Sequence, residues 1–288
     1  MKMKFTKMHG IGNDYIYFDC TEENIKDPVK LSVILSKYHF GVGSDGVVLI
    51  MRSDIADFRM RMFNADGSEG KMCGNATRCI GKYVYERGLT DKTELTLETL
   101  SGVKHLKLTV CDGRVVSVSV DMGKASFEPK DVPVNSEKPL INSPITVDGN
   151  VYNVTALSVG NPHCVIFTNE SVDGMELEKI GPKFENFKDF PERINTEFVN
   201  IIDDETLKMR VWERGSGETF ACGTGACAVT AAAVKNGICQ HDTDITVKLR
   251  GGDLTINCKS DGRIIMSGPA AFVFDGEILI EEALKCLK

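Results

Sequence analysis

A weak internal duplication is the feature that most constrains the fold of this chain. When residues 58–79 are moved forward by 149 positions they fall on residues 207–228, and five positions then coincide. The coinciding pairs are Met60 with Met209, Arg61 with Arg210, Glu69 with Glu218, Cys73 with Cys222 and Gly74 with Gly223. A shift of 148 also places Gly12-Asn13 on Gly160-Asn161. Two motifs in the same order in both halves predict two related, pseudo-symmetric domains.

Each duplicated cysteine is predicted to stand at the start of a helix. A strand with period-two alternation and a turn rich in glycine or serine precede each Cys-Gly, and a helical stretch follows it. We predict helices over about Asn75–Arg87 and Gly225–Lys235, ended by Gly88 and by Gly237. The second helix is apolar on all sides, so it must be buried, which favours a helix enclosed by a curled sheet.

The remaining elements are mostly short strands. Period-two runs separated by Asp-Gly or Gly-Gly turns predict antiparallel hairpins. The runs are ELTLETL, HLKLTV, RVVSVSV, DITVKLR, DLTINC and RIIMSG. A further helix is predicted over Pro28–Phe40, with Asp27 as its cap and Gly41 as its stop.

The predicted fold class is α+β, with two pseudo-symmetric domains that each wrap a curled, barrel-like, antiparallel-rich sheet around a central helix. We place the first domain at residues 1–122 and the second at residues 123–288. The last ~12 residues are expected to pack back on the first domain.

Composition excludes several classes of partner. The chain has 34 basic and 41 acidic residues and no long block of like charge, so nucleic acid is not an expected partner. No apolar stretch has the length of a signal peptide or membrane span, which predicts a cytoplasmic protein without membrane contact. The ten cysteines are expected to be mostly reduced thiols, and without any C-x-x-C spacing no metal site is predicted.

A thiol at a helix N-terminus can serve both proton transfer and anion binding. The positive end of the helix dipole is expected to lower the pKa of Cys73 and Cys222 and to favour thiolate. The backbone N–H groups beside each sulfur would hold a carboxylate. The residues that offer them are Gly74, Asn75, Gly223 and Thr224. Two such thiols on opposite faces of a carbon could invert it, one removing the proton and the other supplying one.

Five segments in a fixed order carry a resemblance to a known family. They are MHGIGNDY (8–15), FNADGSEGKMCGNATRC (63–79), VGNPHCV (159–165), RINTEFV (193–199) and ERGSGETFACGTGACA (213–228). With the closing MSGPAAFVFDGEI, they make the chain resemble diaminopimelate epimerase. The resemblance implies interconversion of LL- and meso-2,6-diaminopimelate without a cofactor, in lysine and peptidoglycan precursor synthesis. It also implies a small-molecule substrate and a possible homodimer.

The resemblance assigns roles by motif position. Cys73 and Cys222 would be the proton-transfer pair, and His163 and Glu213 would tune them. The implied substrate-binding residues are Asn13, Asn64, Gly74, Asn75, Asn161, Asn195, Glu213, Arg214, Gly223 and Thr224. Arg214 suits a carboxylate and Glu213 an ammonium group. One departure is Gly46, because some members carry glutamine there, and that side-chain contact must be absent or replaced.

Two other functions remain open at this point. A proline or hydroxyproline racemase would resemble this chain in fold and paired cysteines, but usually has histidine where Asn75 stands. A redox protein could use a reversible disulfide between Cys73 and Cys222. The run GVGSDG at residues 41–46 fits a dinucleotide motif only literally, because it follows a helix and precedes a strand.

Overall fold

The computed structural model describes residues 2–285, which form two units. The first unit extends to Val120 and resumes at Gly268, and the second comprises Asp121–Ser267. Each unit combines a sheet with helices, so the predicted α+β class is confirmed. Within residues 2–285, no helix has the length and apolar character needed to cross a membrane.

The strands follow one another in a repeated order. Those up to the end of the first unit's main segment are β1 (Lys2–Gly10), β2 (Asn13–Cys20), β3 (Gly46–Met51), β4 (Phe58–Asn64), β5 (Glu69–Gly70), β6 (Glu94–Thr99), β7 (Gly102–Cys111) and β8 (Arg114–Lys124). Those that follow are β9 (Ser143–Val147), β10 (Asn150–Ser158), β11 (Pro162–Phe167), β12 (Asn195–Ile201), β13 (Thr206–Glu213), β14 (Gly217–Glu218), β15 (Asp244–Leu249), β16 (Gly252–Cys258), β17 (Arg263–Gly268) and β18 (Ala271–Leu279). The six runs predicted as strands all form strands.

The helices occupy equivalent places in the two series. They are α1 (Pro28–Leu35), α2 (Gly74–Glu86), α3 (Leu177–Glu185), α4 (Gly223–Lys235) and α5 (Ile280–Lys285), with a short 3₁₀ helix at Val172–Gly174. Helix α1 lies between β2 and β3, and α3 between β11 and β12. Helix α2 follows β5, and α4 follows β14.

Strand pairing shows the duplication directly. In the first unit β2 pairs parallel with β3, β3 and β5 pair antiparallel with β4, and β4 pairs parallel with β6. In the second unit β11, β12, β13, β14 and β15 repeat this pattern in the same order. The two halves are therefore pseudo-symmetric, as predicted. The parallel pairs were not predicted, because their partners are joined through intervening helices.

An ion pair marks the same positions in both halves. Arg61 Nε lies 2.7 Å from Glu69 Oε1, and Arg210 Nε lies 2.7 Å from Glu218 Oε1. In each case the arginine belongs to the long strand and the glutamate to the short strand that precedes the cysteine helix. These residues are among the five coincident positions, so the duplication preserves a side-chain contact as well as the backbone.

A central helix fills each curled sheet. Helix α4 contacts β10, β11, β12, β13, β15 and β16, and its residues 225–233 are all buried. Helix α2 contacts β1, β2 and β7 of its own unit. Gly81 of α2 allows close packing, because a Cβ there would lie 2.9 Å from Leu108 Cδ2. The prediction of a helix enclosed by strands is confirmed.

The outer helices cover the other face of each sheet. Helix α1 contacts β3 and β4 over a core that includes Phe18, Leu31 and Leu49, and α3 contacts β12 and β13. Asp27 caps α1 as predicted, its Oδ1 accepting from Lys30 N at 3.0 Å. The helix ends at Leu35 and not near Phe40, because the Leu35 carbonyl accepts from residues 42 and 43 instead of continuing the helix. Helix α3 was not predicted, since it contains Pro182.

The chain returns to the first unit earlier than its last dozen residues. Strand β18 pairs antiparallel with β1 from the Lys2–Leu279 pair to the His9–Ala271 pair. The first unit's second segment begins at Gly268. It therefore includes all of β18, which pairs with β1 along its length.

Candidate active site

Both duplicated cysteines are the N-cap residues of the central helices. Cys73 precedes α2 with φ −136° and ψ 119°, and Cys222 precedes α4 with φ −117° and ψ 104°. The sulfur accepts a backbone N–H three residues on, at 3.5 Å from Ala76 N and at 3.3 Å from Gly225 N. The helices begin at Gly74 and Gly223, one and two residues before their predicted starts. The structure therefore places each thiol at a helix N-terminus, as predicted.

In the first unit Asn13 connects Cys73 to Asn75. The Cys73 thiol donates to Asn13 Oδ1 at 3.4 Å, and Asn75 Nδ2 donates to the same oxygen at 3.2 Å. Asn75 is buried, and its Oδ1 accepts from Nη2 of the fully buried Arg78 at 2.9 Å. Asn75 is thus held on both sides of its amide.

Asp45 orients the Asn13 amide. Its Oδ2 accepts from Asn13 Nδ2 at 2.7 Å and from Asp14 N at 3.1 Å. Because the amide nitrogen is held by a carboxylate, the amide oxygen is the group that faces Cys73. The backbone carbonyl of Asp45 also accepts from Ala65 N at 2.9 Å, which ties this loop to the turn that carries Asn64.

Asn64 and Gly46 are directly opposite each other on β4 and β3. Asn64 Nδ2 donates to Ser68 Oγ at 3.0 Å, and the Asn64 carbonyl accepts from Ser32 Oγ at 2.8 Å. A Cβ at Gly46 would lie 2.9 Å from Tyr15 Cε1 and closer still to the Phe63 carbonyl oxygen. The space that a side chain at position 46 would need is therefore already filled. This accounts for the glycine at this position.

In the second unit Glu213 lies beside Cys222. Thr219 Oγ1 donates to Glu213 Oε1, and Cys222 Sγ lies 3.5 Å from Thr224 Oγ1. Burial raises the pKa of Glu213, while hydrogen bonds from Thr219 and Cys222 oppose that shift. The carboxylate and the thiol thus influence each other's protonation.

The pKa of Cys222 differs from our expectation. Burial raises it well above its ordinary value, and the neighbouring carboxylates of Glu213 and Glu197 raise it further. The hydrogen bonds from Thr224 and Gly225 lower it by less. The prediction that the helix N-terminus would make this thiol acidic is therefore wrong for Cys222, because desolvation and two acidic neighbours oppose the helix dipole.

His163 forms a buried pair with Glu197. His163 Nδ1 lies 2.6 Å from Glu197 Oε1, and both side chains are fully buried. His163 Nε2 lies 3.0 Å from Asn161 Oδ1. His163 and Asn161, both assigned to the site from the sequence, are thus in direct contact. Their partner Glu197 was not assigned.

Asn195 and Arg214 adjoin the same group. Asn195 is buried, its Nδ2 donates to the Pro162 carbonyl at 2.8 Å, and its Oδ1 accepts from Arg214 N at 2.9 Å. The Arg214 guanidinium donates to the Glu192 carbonyl at 2.9 Å. The strand pairing of His163 with Asn195 explains why the two segments meet.

The predicted residues therefore form one group in each unit. The first unit gathers Asn13, Asn64, Cys73, Gly74 and Asn75, and the second gathers Asn161, His163, Asn195, Glu213, Arg214, Cys222, Gly223 and Thr224. In residues 2–285, no three histidine, cysteine or acidic side chains are arranged to hold a metal ion. Nine cysteines of this part of the chain are not in disulfide bonds.

Sequence reasoning did not find Asp45 and Glu197. Asp45 lies in the GVGSDG run, whose spacing resembles a nucleotide motif and does not indicate a contact with Asn13. Glu197 is the one acidic residue of RINTEFV, and all residues from Asn195 to Val199 are buried. A charged residue within an otherwise buried strand was the available signal, but only the neighbouring strand shows what it pairs with.

Comparison with known proteins gives a consistent result across the chain. A family model described as diaminopimelate epimerase matches residues 5–128 and 155–273. The chain is 55% identical over 282 residues to a diaminopimelate epimerase of Acetivibrio thermocellus, covering 97% of this chain and 100% of the relative. It is also 55% identical over 278 residues to one of Methanococcus maripaludis strain C6, covering 96% and 99%.

Solved structures at much lower identity share the fold. A phenazine biosynthesis protein of Bacillus anthracis has a TM-score of 0.68 and 18% identity, covering 97% of this chain and 99% of the other. A hydroxyproline epimerase of Agrobacterium vitis with bound trans-4-hydroxy-L-proline has a TM-score of 0.70 and 14% identity, covering 96% and 92%. These likenesses concern the fold alone.

Proposed function

Because this chain belongs to the diaminopimelate epimerase family, we propose that it interconverts LL- and meso-2,6-diaminopimelate without a cofactor. The reaction serves lysine and peptidoglycan precursor synthesis. The observation that carries the proposal is the pair of cysteines, each the N-cap of a central helix in pseudo-symmetric units. Both are joined to asparagine or glutamate residues that suit an amino-acid substrate.

The proposed chemistry uses Cys73 and Cys222 as base and acid. One thiolate takes the α-proton, so the C–H bond breaks and an S–H bond forms. The other thiol then gives its proton to the opposite face of the same carbon and becomes thiolate. Negative charge passes to the substrate carboxylate in between. The N–H groups at the helix starts, at Gly74, Asn75, Gly223 and Thr224, would stabilise that charge.

The remaining polar residues are proposed to recognise the distal amino-acid group. Arg214 is suited to its carboxylate through the two parallel hydrogen bonds of a guanidinium. Glu213 and the amide oxygens are suited to its ammonium group. Asn64 and Glu213 are the last residues of β4 and β13, so the duplication places an amide in one unit and a carboxylate in the other. This difference would let the enzyme distinguish the two ends of the substrate.

The proposal predicts solvent hydrogen at the inverted carbon. Reduced protein incubated with LL-diaminopimelate in deuterated water should form meso product carrying deuterium at that α-carbon, because the incoming proton comes from a thiol that exchanges with solvent. Chiral chromatography measures the conversion to the meso isomer, and mass spectrometry measures the deuterium content of the product. Formation of meso product that retains its original hydrogen would contradict the proposed proton transfer, and inversion of proline or hydroxyproline alone would favour the racemase alternative.

A conservative change at Arg214 should affect substrate binding. Arg214→Lys is expected to raise KM for diaminopimelate about 10- to 100-fold, because losing a bidentate charge-assisted contact costs about 1.5–3 kcal/mol. The measurement is steady-state kinetics. The control is Arg263→Lys, since Arg263 is half-exposed and pairs with Asp261. An unchanged KM in Arg214→Lys would remove Arg214 from the site.

We also propose a compartment and an assembly. The mechanism needs reduced cysteines, and the cytoplasm keeps thiols reduced.

Strand β18 leaves Val273, Phe274 and Leu279 about half exposed. A second copy of the chain is the partner we propose for this apolar strand, which would make a homodimer.

A further inference from the structure

The carboxyl group of Glu197 is unusual among the described residues. It is fully buried, and its Oε2 has no hydrogen-bond partner within them. Its Oε1 contacts His163, and a Cβ at Gly225 would lie 2.8 Å from that oxygen and 3.2 Å from Cys222 Sγ. Only glycine at position 225 therefore leaves room for the carboxylate against the first turn of α4, next to the sulfur.

A buried carboxylate with an unsatisfied oxygen is costly to maintain. Removing an ionised group from water costs several kcal/mol, and a single partner recovers only part of that cost. A valine in this place would avoid the cost. The position of this costly carboxylate next to Cys222 therefore points to an effect of Glu197 on the Cys222 thiol.

In the first unit, an uncharged residue occupies the position that corresponds to Glu197. Strand pairing aligns His163 with Asn195 in the second unit and Tyr15 with Gly46 in the first. Tyr15 therefore corresponds to His163, and Gly46 corresponds to Asn195. Glu197 lies two residues after Asn195 on β12, and Val48 lies two residues after Gly46 on β3. Val48 therefore corresponds to Glu197. Val48 is fully buried and apolar.

Glu213, the second acidic neighbour of Cys222, also has an uncharged counterpart in the first unit. Asn64 is opposite Gly46, so in this register it takes the place of Glu213. The two cysteines have the same cap geometry, but their surroundings differ. Cys222 faces Glu213 from β13 and Glu197 from β12, with His163 of β11 behind Glu197. The corresponding positions of the Cys73 unit hold an amide, a valine and a phenol. The charged groups nearest Cys73 are Asp45, which holds Asn13, and Arg78, which holds Asn75. Tyr17 and Cys79 are its other titratable neighbours.

We propose that Glu197, held by His163, keeps Cys222 as the protonated member of the cysteine pair in the substrate-free enzyme, so that Cys73 is the resting base. Glu197 is then a positioning residue that acts on Cys222 through its charge. A carboxylate fixed in a low-dielectric site beside a sulfur disfavours thiolate at that sulfur. The resting enzyme is thereby prepared for the epimer whose α-hydrogen faces Cys73. This inference rests on the proposed function for the use made of the two thiols.

The test follows the alkylation of each thiol by iodoacetamide in substrate-free protein from about pH 6 to 10, because only thiolate reacts. Peptide mass spectrometry gives separate rates for Cys73 and Cys222. In the unmodified protein the midpoint of the Cys222 profile is expected at higher pH than that of Cys73. The opposite order would overturn the proposal without any variant.

Glu197→Gln should then change one thiol only. We expect the Cys222 rate at about pH 8 to rise about tenfold or more and its midpoint to move to lower pH, while Cys73 stays within about twofold. Glu185→Gln is the matched control. Glu185 is also a buried glutamate of the second unit, but it contacts Trp212 and Arg193. An unchanged Cys222 midpoint in folded Glu197→Gln, or an equal shift in the control, would contradict the proposal.

A second variant covers the case in which Glu197→Gln does not fold. The double variant His163→Tyr with Glu197→Val copies the residues of the first unit and leaves no unpaired buried charge. It should move the Cys222 midpoint in the same direction, and an unmoved midpoint would overturn the proposal. The readout needs no turnover. Absence of epimerisation would therefore argue against the proposed function, whereas a wrong alkylation profile would argue against this inference.

Discussion

Replacing either Cys73 or Cys222 with serine is expected to lower kcat for epimerisation by about 1,000-fold or more, because each is proposed to transfer a proton to or from the α-carbon. A serine hydroxyl is far less acidic than a thiol and cannot act as the base near neutral pH. The measurement is conversion of LL- to meso-diaminopimelate at saturating substrate, with thermal unfolding recorded for each variant.

Cys111→Ser is the control for this prediction. Cys111 is exposed on β7, and the proposed mechanism gives it no role. The control variant should keep its full activity. If a folded Cys73→Ser or Cys222→Ser variant retained more than about a tenth of the activity, the two-thiol mechanism would be excluded.

Gly46→Ala is expected to lower the free energy of unfolding by roughly 3 kcal/mol, because the new methyl group would meet the Phe63 carbonyl and the Tyr15 ring. The Phe63 carbonyl belongs to the backbone of β4, so relief requires movement of a strand and not of a flexible side chain. Denaturant unfolding measures the effect. Gly46→Gln should be at least as unstable, because its side chain is larger than that of alanine.

Gly174→Ala is the control, because a Cβ there meets no atom within 4 Å. Its stability should remain within about 1 kcal/mol of the unmodified protein. Equal stability of Gly46→Ala and Gly174→Ala would show that the strands around position 46 can move apart, and the steric account of Gly46 would fail.

Local patterns predicted the elements around the site well. The start of each central helix depends on the few residues after Cys73 and Cys222, and its end on glycines at positions 88 and 237, so short-range chemistry is sufficient. The burial of α4 followed from its composition alone. The early end of α1 and the presence of α3 were not predictable in this way, because tertiary contacts override the local preferences of those segments.

The site was predictable only in part. Cys73, Cys222 and the duplicated asparagines could be recognised from spacing and motif resemblance. Asp45 and Glu197 could not, because their roles come from strands adjacent in the fold and distant in the chain. The pKa of Cys222 shows the same limit. The helix N-terminus is a local feature, whereas burial and two carboxylates from other strands determine the direction of the shift.

The amino-acid sequence by itself determined the duplication, the α+β class, the two thiols at helix starts and the family to which they point, since each follows from residues close together or from a repeated pattern. The tertiary structure alone decided which strands pair in parallel, why position 46 has no side chain and which charges surround Cys222. Those properties arise from packing between distant segments, where burial changes the energy of every charge that it encloses.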